Sequence, residues 1–196
     1  MVNIAIFASG NGSNFENLIN AINDKQIDNA QCKVLIVDKE NAYACKRAER
    51  LHIPFVYVNP KEYANKAEYE TEILRILKEQ GVELIVLAGY MRFIGEVLLT
   101  HYPNRIINLH PAYLPNFPGA HSILDAYEAH AEFTGVTVHY VDEGVDTGEI
   151  IHQEKIVIDP SWSLEILEEH VHALEYRMFP KVVKIVCDRI EEEATK

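Results

Sequence analysis

Ile107-Asn108-Leu109-His110-Pro111-Ala112-Tyr113-Leu114-Pro115-Asn116-Phe117-Pro118-Gly119 is the stretch around which this chain is organised. An apolar run ends there in an amide and an imidazole two residues apart, then breaks into a turn rich in proline. In a strand, positions i and i+2 face the same side, so Asn108 and His110 are expected to project together. Open α/β sheets place their ligands at the carboxyl ends of strands, which is where this pair falls. Proline fixes φ, so the turn that follows is a stiff support for a polar pair that must be held in place.

Upstream, residues 2–8 read as a buried strand and Ser9-Gly10-Asn11-Gly12-Ser13-Asn14 as the turn leaving it. Phe15, Leu18, Ile19 and Ile22 recur at helical spacing, and Ser13 with Glu16 reads as a capping box. A strand over 33–37, a helix over 43–51 and a short strand over 55–58 follow. Next come a helix with Tyr69, Ile73, Ile76 and Leu77 on one face, a stop at Gly81, and a strand over 83–88. This alternation predicts right-handed crossovers and a mostly parallel twisted sheet with helices on both faces. Past Gly89, a short helix over 96–99 leads into a strand over 105–109, and residues 123–129 read as helical. The β-rich segments 135–141 and 149–158 are joined only by a loop, which predicts an antiparallel pair toward the C-terminal part. A long helix starts near Ser163 with Leu164, Leu167, Val171, Leu174 and Met178 inward, and Pro180 is expected to kink or restart it.

The 196 residues are read as one α/β domain over 1–190, with 191–196 a frayed end. A net charge of -12 argues against a nucleic-acid or anionic-membrane partner, since both need a basic surface. A local anion site stays compatible with that charge, because backbone amides can supply it. Three scattered cysteines, Cys32, Cys45 and Cys187, fit a reduced, cytoplasmic protein. The apolar start reads as a first strand rather than a signal peptide, and no run approaches the roughly 18 apolar residues of a membrane helix.

The glycine loop presents amide donors at a helix amino end, which suits an anion. It fails the dinucleotide fingerprint: Gly10 and Gly12 fit, but the third position is Phe15, too large for close helix packing. A single phosphate is the better expectation than NAD, although Asp38, at the end of the second strand, could mimic a ribose-binding acid. Asn108 and His110 suit a developing oxyanion, with the imidazole carrying a proton. Asp146 could accept from His110, raising its pKa and fixing its tautomer. Taken alone, Asp142, Glu143 and Asp146 also read as a solvated turn. No metal is expected: His170 and His172 fall on different helix faces, and His110, His121 and His139 lack ligand spacing.

Together, Ser9-Gly10-Asn11-Gly12-Ser13-Asn14, Leu87-Ala88-Gly89-Tyr90-Met91-Arg92, Asn108-Leu109-His110-Pro111, Leu114-Pro115 and 142–148 resemble the phosphoribosylglycinamide formyltransferases. The resemblance runs from the first strand to the last helix. It implies a Rossmann-like formyltransferase fold and formyl transfer from 10-formyltetrahydrofolate, as co-substrate, to the glycinamide amine, the third step of purine synthesis. By matching motif it assigns Gly12, Ser13 and Asn14 to the substrate phosphate. Asn108 would hold the formyl oxygen, His110 would be the general acid, and Asp146 would raise and orient it. Lys66, Met91, Arg92, Phe93, Ile94 and Asn108 would contact the folate, and the backbone of Asp142, Glu143, Gly144, Val145 and Asp146 would read its pterin. Glu175 and His172 would meet the ribonucleotide.

Three positions depart from the family pattern. Ala112 and Tyr113 stand where serine is common. Lys66 replaces an arginine and loses the bidentate fork. His172 stands where an amide or lysine serves the phosphate, so its charge varies with pH. The nearest alternative is formyltetrahydrofolate deformylase, which normally carries an extra amino-terminal domain, whereas here the first strand begins at residue 2. A methionyl-tRNA formyltransferase would need a basic surface, and a non-catalytic nucleotide sensor would not need Asn108, His110 and Asp146. Oligomeric state is left open, a homodimer included.

Overall fold

A computed structural model describes residues Met1–Lys196. Seven strands form one sheet in the order β3-β2-β1-β4-β5-β6-β7. They are β1 (Val2–Ala8), β2 (Ala30–Val37), β3 (Phe55–Tyr57), β4 (Leu84–Leu87), β5 (Ile106–His110), β6 (Phe133–Tyr140) and β7 (Ile150–Val157). The first five pair in parallel, and β6 and β7 pair antiparallel, as the loop-only connection requires.

Six α-helices flank the sheet: α1 (Ser13–Asn23), α2 (Tyr43–Arg50), α3 (Lys66–Glu79), α4 (Glu96–His101), α5 (Ser122–Glu128) and α6 (Leu164–Ala194). The period-two rule divides their cores cleanly. Ile4, Ile6 and Ala8 of β1 join the core under α1, α2 and α6, while Ala5 and Phe7 join the core under α3 and α4. Ile107 and Leu109 of β5, and Val136 and Val138 of β6, also face the α1/α6 side. Asn108, His110, Thr137 and His139 therefore share the opposite face. Strand order reverses between β1 and β4, so the loops leaving these two strands diverge and open a crevice.

Three local expectations need correction. Ser13 does not cap α1: the N-cap is Gly12, in the left-handed region at φ 76°, and no side chain caps the helix. Glu16 pairs instead with Arg47 and Arg50 of α2. Pro180 does not restart the last helix, which runs unbroken from Leu164 to Ala194. Proline removes the donor that would satisfy the Tyr176 carbonyl, and the Asn17 side chain of α1 donates to that carbonyl at 2.9 Å. The same helix extends into 191–196, so the segment read as frayed is helical through Ala194, with Arg105 paired to Glu193. Its buried stripe includes Leu167, Val171, Leu174 and Met178, with Leu164 only half-buried.

Candidate active site

The register between β5 and β6 sets Asn108 opposite His139 and His110 opposite Thr137. Asn108 Nδ2 lies 3.3 Å from His139 Nε2. His139 Nδ1 donates to the Tyr140 carbonyl at 2.8 Å, which orients the ring. His110 is buried, and its Nε2 donates to the Phe117 carbonyl at 2.9 Å. Its Nδ1 lies 3.5 Å from Asp146 Oδ2, and His139 Nε2 lies 3.6 Å from Asp146 Oδ1. These last two are ion-pair distances rather than hydrogen bonds. His110 thus has a carbonyl on one ring nitrogen and a carboxylate facing the other.

Both acceptors are delivered by unusual backbone. Phe117 has φ 53° and Asp146 has φ 54°, left-handed conformations that cost side-chain residues free energy and cluster at functional sites. The Gly119 amide donates to Asp146 Oδ2 at 2.9 Å, joining the proline turn to the 142–148 loop. Burial alone would raise the Asp146 carboxyl, but His139, the Gly119 amide and the charge of His110 outweigh it and hold it below its usual range. The proline turn itself hangs on Thr137, whose hydroxyl donates to the Ala112 carbonyl at 2.7 Å and accepts from the Leu114 amide at 3.1 Å.

These groups floor a cleft of about 190 Å³ whose walls include Met91, Arg92, Phe93, Ile94 and all of 142–146. The expected folate contacts are therefore gathered around the polar pair, except Lys66. Lys66 lines an adjoining cavity that shares Met91, Arg92 and Phe93 with the cleft. Asp142 folds its own loop, accepting from the Gly144 amide at 3.0 Å and the Thr147 hydroxyl at 2.7 Å.

A second cavity, about 260 Å³, lies between the glycine loop and the segment leaving β4, at the reversal of strand order. Gly89 and Met91 line both cavities and form the wall between them. Ser9 braces that wall: its amide donates to the Gly89 carbonyl at 3.0 Å and its hydroxyl accepts from the Met91 amide at 2.8 Å. Gly12, Ser13 and Asn14 line the second cavity, as does Lys39, whereas Asp38, read as a ribose acid, does not. Asn14 Nδ2 donates to the buried Glu175 carboxylate at 3.0 Å, and His172 Nδ1 donates to the same oxygen at 3.0 Å. The Glu175 bond raises the pKa of His172, against an opposing effect of burial. Nothing suggests thiol chemistry, since burial pushes Cys32 and Cys187 up to about 12.

His139 and Lys39 are the two residues that sequence reading missed. His139 was detectable only through the pairing of its strand with β5. Lys39 directly follows the acid end of β2, a position whose neighbours depend on how α2 packs.

A mostly parallel sheet that gathers an amide, two imidazoles and a carboxylate from β5, β6 and the 142–148 loop, beside an anion-type loop, defines a group-transfer enzyme of the formyl transferase class. That family's pattern matches residues 2–183. The chain is 47% identical over 184 residues to the phosphoribosylglycinamide formyltransferase of Bacillus subtilis, covering 94% of each chain. The solved glycinamide ribonucleotide transformylase 1 of Geobacillus kaustophilus superposes with a TM-score of 0.93 at 43% identity, covering 95% of this chain and 99% of that one. The trifunctional purine biosynthetic protein adenosine-3 of Drosophila pseudoobscura is 39% identical over 94% of this chain, which spans 14% of that protein. The chain belongs to the phosphoribosylglycinamide formyltransferase family.

Proposed function

We propose that the protein transfers the formyl group of 10-formyltetrahydrofolate to the amine of glycinamide ribonucleotide. The observation that carries this reading is the convergence of Asn108, His110, His139 and Asp146 in a cleft that shares the Gly89–Met91 wall with the glycine-loop cavity. Folate occupies the cleft, with its pterin along 142–146 and its glutamate end toward Lys66 and Arg92. The ribonucleotide places its phosphate against Gly12, Ser13 and Asn14 and toward His172, its ribose toward Glu175, and its amine past the shared wall.

The amine nitrogen attacks the formyl carbon, forming the new C–N bond. The formyl oxygen becomes anionic as the nitrogen becomes cationic. Asn108 Nδ2 donates to that oxygen, protonated His110 donates to it through Nε2 in exchange for its bond to the Phe117 carbonyl, and Asp146 stabilises the charge on the imidazole from the Nδ1 side. The nitrogen then loses a proton and folate N10 gains one, through His110, as the C–N10 bond breaks. Neither a metal nor a nicotinamide is required by this sequence of steps.

The test follows the formyl carbon. With 10-formyltetrahydrofolate labelled at that carbon, the label is expected on the glycinamide nitrogen, and His110→Ala is expected to slow its transfer by about 10² or more. Label recovered only as formate would replace this reading with hydrolysis.

A further inference from the structure

The amides at the start of α1 are left without acceptors inside the protein. Gly12 has no side chain to cap them, Ser13 makes no cap bond, and the amides of Ser13, Asn14 and Phe15 meet no carbonyl. The loop carbonyls, in contrast, are held on the side of α2. The Ala44 amide donates to the Gly10 carbonyl at 3.1 Å. Arg47 Nε donates to the Asn11 carbonyl at 2.8 Å, its Nη2 donates to Asn11 Oδ1, and its Nη1 pairs with Glu16. Close packing enforces this arrangement, since a Cβ on Gly12 would sit 2.6 Å from Ala44 Cβ.

A trans peptide is planar, with its carbonyl and the following amide pointing in opposite directions. Pinning the Gly10 carbonyl therefore turns the Asn11 amide away from α2, and pinning the Asn11 carbonyl does the same for Gly12. Arg47 does not line the cavity itself, and its charge is already met by Glu16. We infer that Arg47 is a positioning residue for the ribonucleotide phosphate: from behind the loop, its fork turns carbonyl oxygens away from the anion and amide donors toward it. This rests on the proposed placement of that phosphate at the glycine loop. Three donors in one plane are needed, which lysine cannot supply.

The experiment is steady-state kinetics on the whole enzyme, with inorganic phosphate as a competing probe. Arg47→Met is expected to raise the KM for glycinamide ribonucleotide by about tenfold, and to weaken competition by phosphate equally. Folate KM, and kcat at saturating ribonucleotide, should stay within about twofold, because the folate cleft is untouched. Arg47→Lys should behave like the Met variant. Arg50→Met serves as the folding control, since Arg50 pairs with Glu16 at 2.7 Å but makes no bond to the loop. Any loss it causes should appear in Tm, with the ribonucleotide KM unchanged. Recovery of wild-type KM in Arg47→Lys would overturn the inference in favour of plain charge. An unchanged KM in Arg47→Met, or equal increases for both substrates, would overturn it as well. Ser13→Asp separates the two levels. If it raises the ribonucleotide KM while Arg47→Met does not, the role of Arg47 alone fails. If Ser13→Asp has no effect and phosphate does not compete with the ribonucleotide, the phosphate placement fails and takes the inference with it.

Discussion

Asp146→Asn is the most informative single change, because it removes a charge while keeping a shape. The asparagine oxygen can still accept from the Gly119 amide, so the link between the proline turn and the 142–148 loop survives. What disappears is the negative charge 3.5 Å from His110 Nδ1. At that separation and an effective dielectric of 20, two unit charges attract by roughly 5 kcal/mol. The Asp146 side chain is 13% exposed and shares its charge with His139 at 3.6 Å. Allowing about half for solvent and sharing leaves about 2–3 kcal/mol for the imidazolium, or roughly 30- to 150-fold in kcat. The assay is formyl transfer at saturating ribonucleotide, with Tm measured in parallel. The variant's loss of stability should be present at neutral pH. It should vanish on acidification, because a carboxyl held below its unfolded pKa stabilises only above that value and loses this as pH falls through the folded one. A fall in kcat below about threefold with an intact fold would refute the electrostatic coupling.

His139→Gln removes a group that holds the Asp146 carboxyl down, so the acid limb of the kcat profile should move to higher pH. An unmoved limb would show that His139 does not set the charge of Asp146. His172, raised by Glu175, should favour ribonucleotide binding below its pKa, so KM should climb as pH rises through that value and flatten in His172→Gln. A wild-type KM independent of pH would separate His172 from the phosphate. Glu70 is buried and its carboxylate accepts from the amides of Gly95 and Leu98 at the start of α4. Glu70→Ala should cost about 2–4 kcal/mol in equilibrium denaturation, because both donors are left unpaired. A cost under about 1 kcal/mol would mean that water replaces the cap.

The parallel sheet and its helices were legible because buried strands and amphipathic helices write their periods into local sequence. Asn108 and His110 were legible for the same reason, being two apart on one strand. What escaped depended on contacts between distant segments. His139 joins the site through strand register, and the Pro180 helix continues because a side chain from α1 replaces a missing backbone donor. The capping box at Ser13 and Glu16 fits every local rule and still fails, because α2 approaches Gly12 and claims Glu16 for two arginines.

The central claim is that one polar cluster serves two substrates across a shared wall. It is tested most directly by the rate at which 10-formyltetrahydrofolate loses its formyl group with and without glycinamide ribonucleotide. A large acceleration by the ribonucleotide, matched mole for mole by formylated product, is the predicted result. Loss at the same rate in its absence, with formate as the product, would contradict it.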